Sequence, residues 1–487
     1  MRPAANAGLL PEEGMTRNAR TIFLALMISA LWGTYSMGAE HKTADATSAP
    51  RGPLTIDEAV KLALANSSQI IGAEASVLDA QSGIYRSYSG ILPSISADAS
   101  RSWAQNIQLR GTRAAPGFAV AAALREDFES YSSTPVLSGS WTFLDLSALS
   151  AWSSARSGLH SAELAFKSTR QGVALDARRK FYDVVKSIHL SRVSSQALRL
   201  SRDNERRVKA LFDVGSVSRS DLLKAQVRTA QSELDSLGKH NGISVARITL
   251  ATALGIVERT MGEVDTVLTA EAQAYDEAQI LAEAEAARPD LKSAKADWDA
   301  ARASLRAANY LRLPALFARG SVTLSPISTS TTTFDEAGSY GGFPVAAGTK
   351  YSTRSEADRA YTGEIGLTWN LFSGFGTEGS IASSRARVMR AKDNYEALHR
   401  NLASEVEQTL LTYREVVVAY EVAKRAAESA EENMKLTQQK YNVGSATILD
   451  LIDAQVQLQQ AESDIVSALA GIRVVEATIE KVRGRGD

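Results

Sequence analysis

Residues 441–456 read Tyr441-Asn-Val-Gly-Ser-Ala-Thr-Ile-Leu-Asp-Leu-Ile-Asp-Ala-Gln-Val456, and residues 212–227 read Phe212-Asp-Val-Gly-Ser-Val-Ser-Arg-Ser-Asp-Leu-Leu-Lys-Ala-Gln-Val227. The two stretches align at a spacing of 441 − 212 = 229 residues. In each, a Val-Gly-Ser turn joins a long periodic run to a second one. Glycine permits a turn there that other residues would strain. The segment is a helix–turn–helix tip, and it occurs twice.

The duplication extends upstream. Trp141 matches Trp369 at a spacing of 228, and Leu92-Pro93 matches Leu313-Pro314 at 221, so length differences fall in loops between repeated elements. A repeat of this size sets the architecture before any local reading does. Each copy predicts a helical stretch, a Leu-Pro stop, two strands around a polar loop, a very long helix, the Val-Gly-Ser turn and a final helix. The first repeat covers 54–255, with a helical stretch Leu54–Tyr88 opened by the Thr55/Glu58 capping pattern and strands at about 94–109 and 136–145. A connector covers 256–275. The second repeat covers 276–483, with a helical stretch Asp276–Leu311 and strands at about 315–325 and 360–372.

The strands alternate. Tyr361, Gly363, Ile365, Leu367, Trp369 and Leu371 interleave with Thr362, Glu364, Gly366, Thr368 and Asn370. Leu316, Ala318, Gly320, Val322 and Leu324 interleave with Arg319, Ser321 and Thr323, and Leu137, Gly139, Trp141 and Phe143 with Ser138, Ser140 and Thr142. One apolar and one polar face suit either a half-buried sheet or a membrane barrel with lipid outside and water within. Four strands are too few to enclose a lumen, so a barrel requires several chains to pool their strands. The stretch 325–359, rich in Ser, Thr and Gly, is expected as a long loop.

The helices carry heptads. Leu451, Leu458, Ile465, Ile472 and Ile479 recur every seventh residue, each followed at +3 by Ala454, Ala461, Ala468, Val475 and Val482. The preceding run repeats the pattern with Val406, Tyr413, Tyr420, Ala427, Met434 and Tyr441. Such seams pack as coiled coils, with alanine allowing close approach. The expected long helices, about 151–211 and 379–440, contain no proline and would each span on the order of 90 Å.

Composition narrows the function. The 487 residues are 44% hydrophobic with a formal net charge of −1, which offers no basic field for nucleic acid. Cysteine is absent, excluding disulfides and thiolate metal sites. Residues 1–39 are expected as a secretory signal peptide: Arg17 and Arg20 precede an apolar run from Thr21 to Trp32, followed by small residues near Gly38. The five histidines are scattered, and no P-loop, zinc-ligand pair or nucleophile elbow is present, so neither an enzyme nor a cofactor is expected.

The duplicated helix–strand–strand–helix–helix unit with its Val-Gly-Ser turns resembles the TolC-type outer-membrane efflux proteins over about residues 54–483. The resemblance implies a mainly α fold with a β membrane portion. Long coiled-coil helices would form an α-barrel, and four strands per chain would join a shared transmembrane β-barrel. It further implies a homotrimer in the outer membrane with a long periplasmic extension, contacts to outer-membrane lipid, a periplasmic adaptor, and an inner-membrane transporter for drug efflux or type I protein secretion. Tyr441, Asp221, Asp450 and Asp453 match the family's periplasmic gate positions, and its gate arginine falls on Ala446, with Arg219 nearby. Gly215, Ser216, Gly444 and Ser445 would form the turns that meet the adaptor. Asp450 and Asp453 would form an acidic ring that favours cations; alternatively they are first-turn acids that stabilise a helix start. The competing reading of the chain is a soluble periplasmic coiled-coil adaptor or scaffold without a pore.

Overall fold

The computed structural model describes residues 53–110, 124–269, 273–324, 329–334, 338–340, 343–354 and 359–486. The expected signal peptide lies outside these residues.

The chain begins with α1 (Ile56–Asn66) and α2 (Ser68–Tyr88), followed by β1 (Ser94–Arg110) and β2 (Leu124–Leu144). Helix α3 (Leu146–Asp213) and helix α4 (Arg219–Leu254) complete the first half. The second half repeats the order with α5 (Glu277–Ala287), α6 (Pro289–Tyr310), β3 (Ala315–Leu324), β8 (Arg359–Thr368), α7 (Gly376–Asn442) and α8 (Ile448–Val482). At 68 and 67 residues, α3 and α7 each extend about 100 Å.

Three details differ from the sequence expectation. Each opening helical stretch is two helices: Ser67 ends α1 and caps α2 through its hydroxyl, and Arg288 ends α5 ahead of Pro289 at the start of α6. β2 begins at Leu124 rather than near 136, and β8 ends at Thr368, leaving Trp369 just beyond it. The expected loop at 325–359 instead carries short strands β4 (Thr329–Phe334), β5 (Gly338–Tyr340), β6 (Phe343–Val345) and β7 (Thr349–Arg354). Threonine and serine supplied the "loop" signal there, yet threonine is also a good strand former when cross-strand partners exist.

The strands pair antiparallel in the order β1–β2–β3–β8, with β4 and β7 extending the upper part of β2. Three apolar clusters hold the helices. The first joins α1, α3 and α4 around Leu54, Val184, Leu250 and Leu254, and Leu54 also bridges in parallel to Val264. The second joins α5, α6, α7 and α8 around Ile280, Leu291, Val406, Tyr413, Ile472 and Ile479. The third lies at the two tips. On α8 the heptad positions Leu451, Ala454, Leu458, Ala461, Ile472, Ile479 and Val482 are buried. No helix among the described residues is long and apolar enough to cross a membrane.

Candidate functional site

Both tips close by the same hydrogen bonds. Gly215 (φ +75°) donates to the Phe212 carbonyl at 2.8 Å, and Ser216 donates to the Leu211 carbonyl at 2.8 Å. Gly444 (φ +79°) donates to the Tyr441 carbonyl at 3.1 Å, and Ser445 to the Lys440 carbonyl at 2.9 Å. This paired closure of a helix end needs a left-handed residue, which glycine adopts without strain.

The acids on the following helices have separate surroundings. The Asp450 carboxylate accepts from the Thr447 backbone N–H at 2.8 Å and its hydroxyl at 2.7 Å, while Asp450 N–H donates to Thr447 Oγ1 at 3.2 Å. This is a complete capping box, and the backbone bond from Thr447 holds the Asp450 carboxyl below its usual range. Asp221 accepts from Ser218 Oγ at 2.8 Å and from Lys224 Nζ at 3.3 Å, and the Ser218 bond chiefly lowers its pKa. Asp453 accepts from Gln457 Nε2 at 2.7 Å, one turn along α8, and faces solvent.

Tyr441 ties the two tips together by packing. Its ring lies against the cluster of Val208, Ala225, Met434, Ile448 and Leu451, drawn from α3, α4, α7 and α8. Burial, followed by the nearby Asp221 carboxylate, raises the Tyr441 pKa, and its buried hydroxyl has no hydrogen-bond partner among the described residues. Tyr441 and Asp221 are thus brought together, whereas Asp450 and Asp453 remain on the exposed surface of α8. Ala446 is half-buried and Arg219 is exposed.

Sequence reasoning passed over the polar links between the tips. Arg207 of α3 donates to Asn442 Oδ1 at 2.9 Å. Farther up, Arg228 of α4 donates to Gln459 of α8 at 3.0 Å, and Gln459 donates to Asp235 at 2.8 Å. Burial lowers the Arg228 pKa. These residues sit within helical periods and carry no motif of their own; only the juxtaposition of two distant helices reveals them.

At the sheet, register assembles the two faces predicted from alternation. Ile95, Gly139, Gly320 and Gly363 share one row, and Ala97, Leu137, Val322 and Tyr361 the next, with Trp141, Ala318 and Ile365 aligned on the same face. This apolar face is open: Ile95 is 78% exposed, Tyr361 70% and Ile365 81%. The opposite face carries Ser94, Ser96, Ser138, Ser140, Arg319, Ser321, Thr362 and Glu364 around a hollow. The repeated tryptophans are anchored alike. Trp141 Nε1 donates to the Ile91 carbonyl at 2.9 Å, and Trp369 Nε1 donates to the Arg312 carbonyl at 3.0 Å.

A sheet open on its apolar face, joined to proline-free helices of about 100 Å, is accompanied by a direct family relationship. The model of the outer membrane efflux protein family matches residues 59–256 and again 280–485. The chain belongs to that family. Nodulation protein T of Rhizobium leguminosarum bv. trifolii is 25% identical over 378 residues, covering 74% of this chain and 73% of the relative. Outer membrane protein TolC of Escherichia coli (strain K12) is 21% identical over 336 residues, covering 66% of this chain and 63% of TolC. Among solved structures, the outer membrane protein VceC of Vibrio cholerae superposes with a TM-score of 0.69 at 16% identity, covering 88% of this chain and 96% of VceC. As a member of the outer membrane efflux protein family, the chain has the expected fold class: mainly helical, with a smaller strand portion and the unit order repeated.

Proposed function

We propose that this chain is one protomer of an outer-membrane exit duct, through which small molecules or secreted proteins leave the cell. The observation that carries the reading is the exposed apolar face of β1, β2, β3 and β8 set against a polar, hollowed face. In water such a face is a liability; against lipid it is the expected surface of a barrel strand. β1 and β8 are the ends of the four-strand order, and an unpaired edge is untenable in lipid, so copies close on one another. Three copies would form the shared barrel, following the family resemblance.

In this reading, residues 54–255 and 276–483 are the two structural repeats, joined by the 256–275 connector, and residues 1–39 direct export. The helical tips face the periplasm. Tyr441, Asp221, Asp450 and Asp453 form the gate region. The turns at Gly215, Ser216, Gly444 and Ser445 meet a periplasmic adaptor that couples to an inner-membrane transporter. The duct performs no catalysis.

The deciding experiment is planar-bilayer conductance of the detergent-purified chain, with oligomer mass measured on the same sample. Discrete openings from a trimer support the duct. A protein released by salt wash that gives no openings supports the soluble coiled-coil scaffold instead.

A further inference from the structure

Among the strand residues with described side-chain surroundings, the polar face holds three charges: Asp98, Arg319 and Glu364. Arg319 and Glu364 are direct register partners, in one row with Ser94 and Ser140. The row beside them is all hydroxyl: Ser96, Ser138, Ser321 and Thr362. These hydroxyls bond to one another, Ser96 to Ser138 at 2.7 Å and Ser321 to Thr362 at 2.7 Å, leaving the two charges without side-chain bonds from that row.

Opposite charges directly across a strand pair ordinarily meet. Here they do not. The Arg319 guanidinium lies over the Phe317 ring, 4.4 Å from its centroid, and both charged groups remain exposed. Phe317 can lie flat because its register partner is Gly366: a Cβ at that position would come within 2.5 Å of the ring. The glycine therefore makes the shelf, the shelf holds the cation, and the anion opposite is left free. A stacked guanidinium keeps its in-plane N–H groups available to carboxylate or phosphate oxygens.

We propose that Phe317, Arg319, Glu364 and Gly366 form a charge-sorting belt in the barrel lumen, where Arg319 meets anionic groups of a passing solute and Glu364 meets cationic ones. The inference rests on the duct reading above. Repeated around the barrel, the belt displays cations and anions in equal number, so it adds no net charge while offering both contacts to zwitterionic solutes. Removing either member unbalances it. This belt is separate from any acidic ring at the helical tips.

The test is reversal-potential measurement in asymmetric KCl on the full chain in planar bilayers, with oligomer mass as the assembly control. Arg319→Gln is expected to raise the K⁺/Cl⁻ permeability ratio by about twofold or more, and Glu364→Gln to lower it by a similar factor. Phe317→Leu keeps both charges but removes the shelf, letting the guanidinium swing to Glu364. Because both charges remain, that variant is expected to keep the K⁺/Cl⁻ ratio of the unaltered chain while weakening current block by a zwitterionic amino acid added to the bath; unchanged block would overturn the shelf. Openings that persist with unchanged ratios in both single variants would overturn the belt and leave the duct standing. Absence of openings in the unaltered chain would overturn the duct, and the belt with it.

Discussion

Helices α2 and α6 occupy the same place in the two halves of the chain, yet their surroundings differ. α6 packs against α3 on one side and α7 on the other, whereas α2 packs against α3. The α3–α6 seam is closed by small polar side chains: Ser161 and Ser293 hydroxyls bond at 3.0 Å, and Ser154 donates to the Ala300 carbonyl at 2.9 Å. On α2, 221 residues earlier, stand Gly72 and Asp79, both exposed. On α7, 229 residues after Ser154 and Ser161, stand Ser383 and Arg390, also exposed. The 229 spacing holds along the helix, since buried Val173, Ala177, Phe181 and Val184 correspond to buried Leu402, Val406, Leu410 and Tyr413. The seam between halves is therefore drawn twice, once closed within the chain and once left as two open faces. By the same spacings Gly72 corresponds to Arg390 and Asp79 to Ser383; a Cβ on Gly72 would touch nothing within 4 Å, and Asp79 lies 3.6 Å from Arg86 of its own helix.

The largest expected effect is all-or-none. The chain has no cysteine, so introduced pairs report without background. Ser161→Cys with Ser293→Cys is expected to cross-link within a chain and leave its mass unchanged. Gly72→Cys with Arg390→Cys is expected to link chains into covalent oligomers on a non-reducing gel, given the narrow distance range a disulfide allows. A trimer by mass that fails to cross-link at the second pair would break the correspondence between the two seams without touching the oligomer itself.

Next in size is the contrast between the two faces of one strand. Ile365→Arg places a charge on the open apolar face and is expected to cost roughly 2–4 kcal/mol near the membrane midplane, seen as lost assembly. Thr362→Arg, on the hydroxyl face, is expected to assemble normally. The reverse result would exchange the lipid and lumen faces.

How much of this was legible in the sequence depends on what each residue contacts. The duplication, the tip turns and the alternating faces were readable because they are set locally, by glycine geometry and period. Asp450 was readable only as two alternatives, and the structure puts its carboxylate in the Thr447 capping box. The breaks at Ser67 and Arg288 were missed because apolar period continued across them. The Phe317 shelf was illegible, since it depends on Gly366 arriving opposite Phe317 from 49 residues away (366 − 317). Register, unlike period, is not written in either strand alone.

A smaller effect contrasts the ends of the two halves. In the second half, Arg483 Nε donates to Glu283 at 2.7 Å, fastening α8 to α5, and Arg485 pairs with the same carboxylate at 3.3 Å. The corresponding residues of the first half, by the 221 and 229 spacings, are Leu62 and Leu254, both in an apolar cluster. The Arg483 hydrogen bond, then that of Gln279, holds the Glu283 carboxyl at about 2 against an ordinary 4.5. Because the folded-state value is depressed, the stabilisation is complete above about pH 4.5 and is lost as pH falls through about 2. Glu283→Leu with Arg483→Leu copies the first-half solution and is expected to flatten the pH dependence of thermal unfolding across that window. An unchanged slope would show that other carboxylates set it.

The smallest effect separates the two tips. Asp221 has Lys224 three residues on, and the two form an ion pair at 3.3 Å; the equivalents in the second tip are Asp450 and Asp453, two acids. The first tip neutralises its charge where the second displays it. Within the second tip the roles divide again, because Asp450 is committed to the capping box and sits against the positive helix start, while Asp453 accepts a bond from Gln457 one turn along. Asp450→Ala is therefore expected to lower thermal stability slightly, because the Thr447 N–H loses its capping carboxylate, with a slight change in ion preference. Asp453→Asn is expected to reduce cation preference in bilayers while leaving thermal stability nearly unchanged, since it keeps a side-chain acceptor for Gln457 and removes the charge. If the two substitutions lower cation preference equally, the cap does not shield Asp450, and both carboxylates face the same ion path.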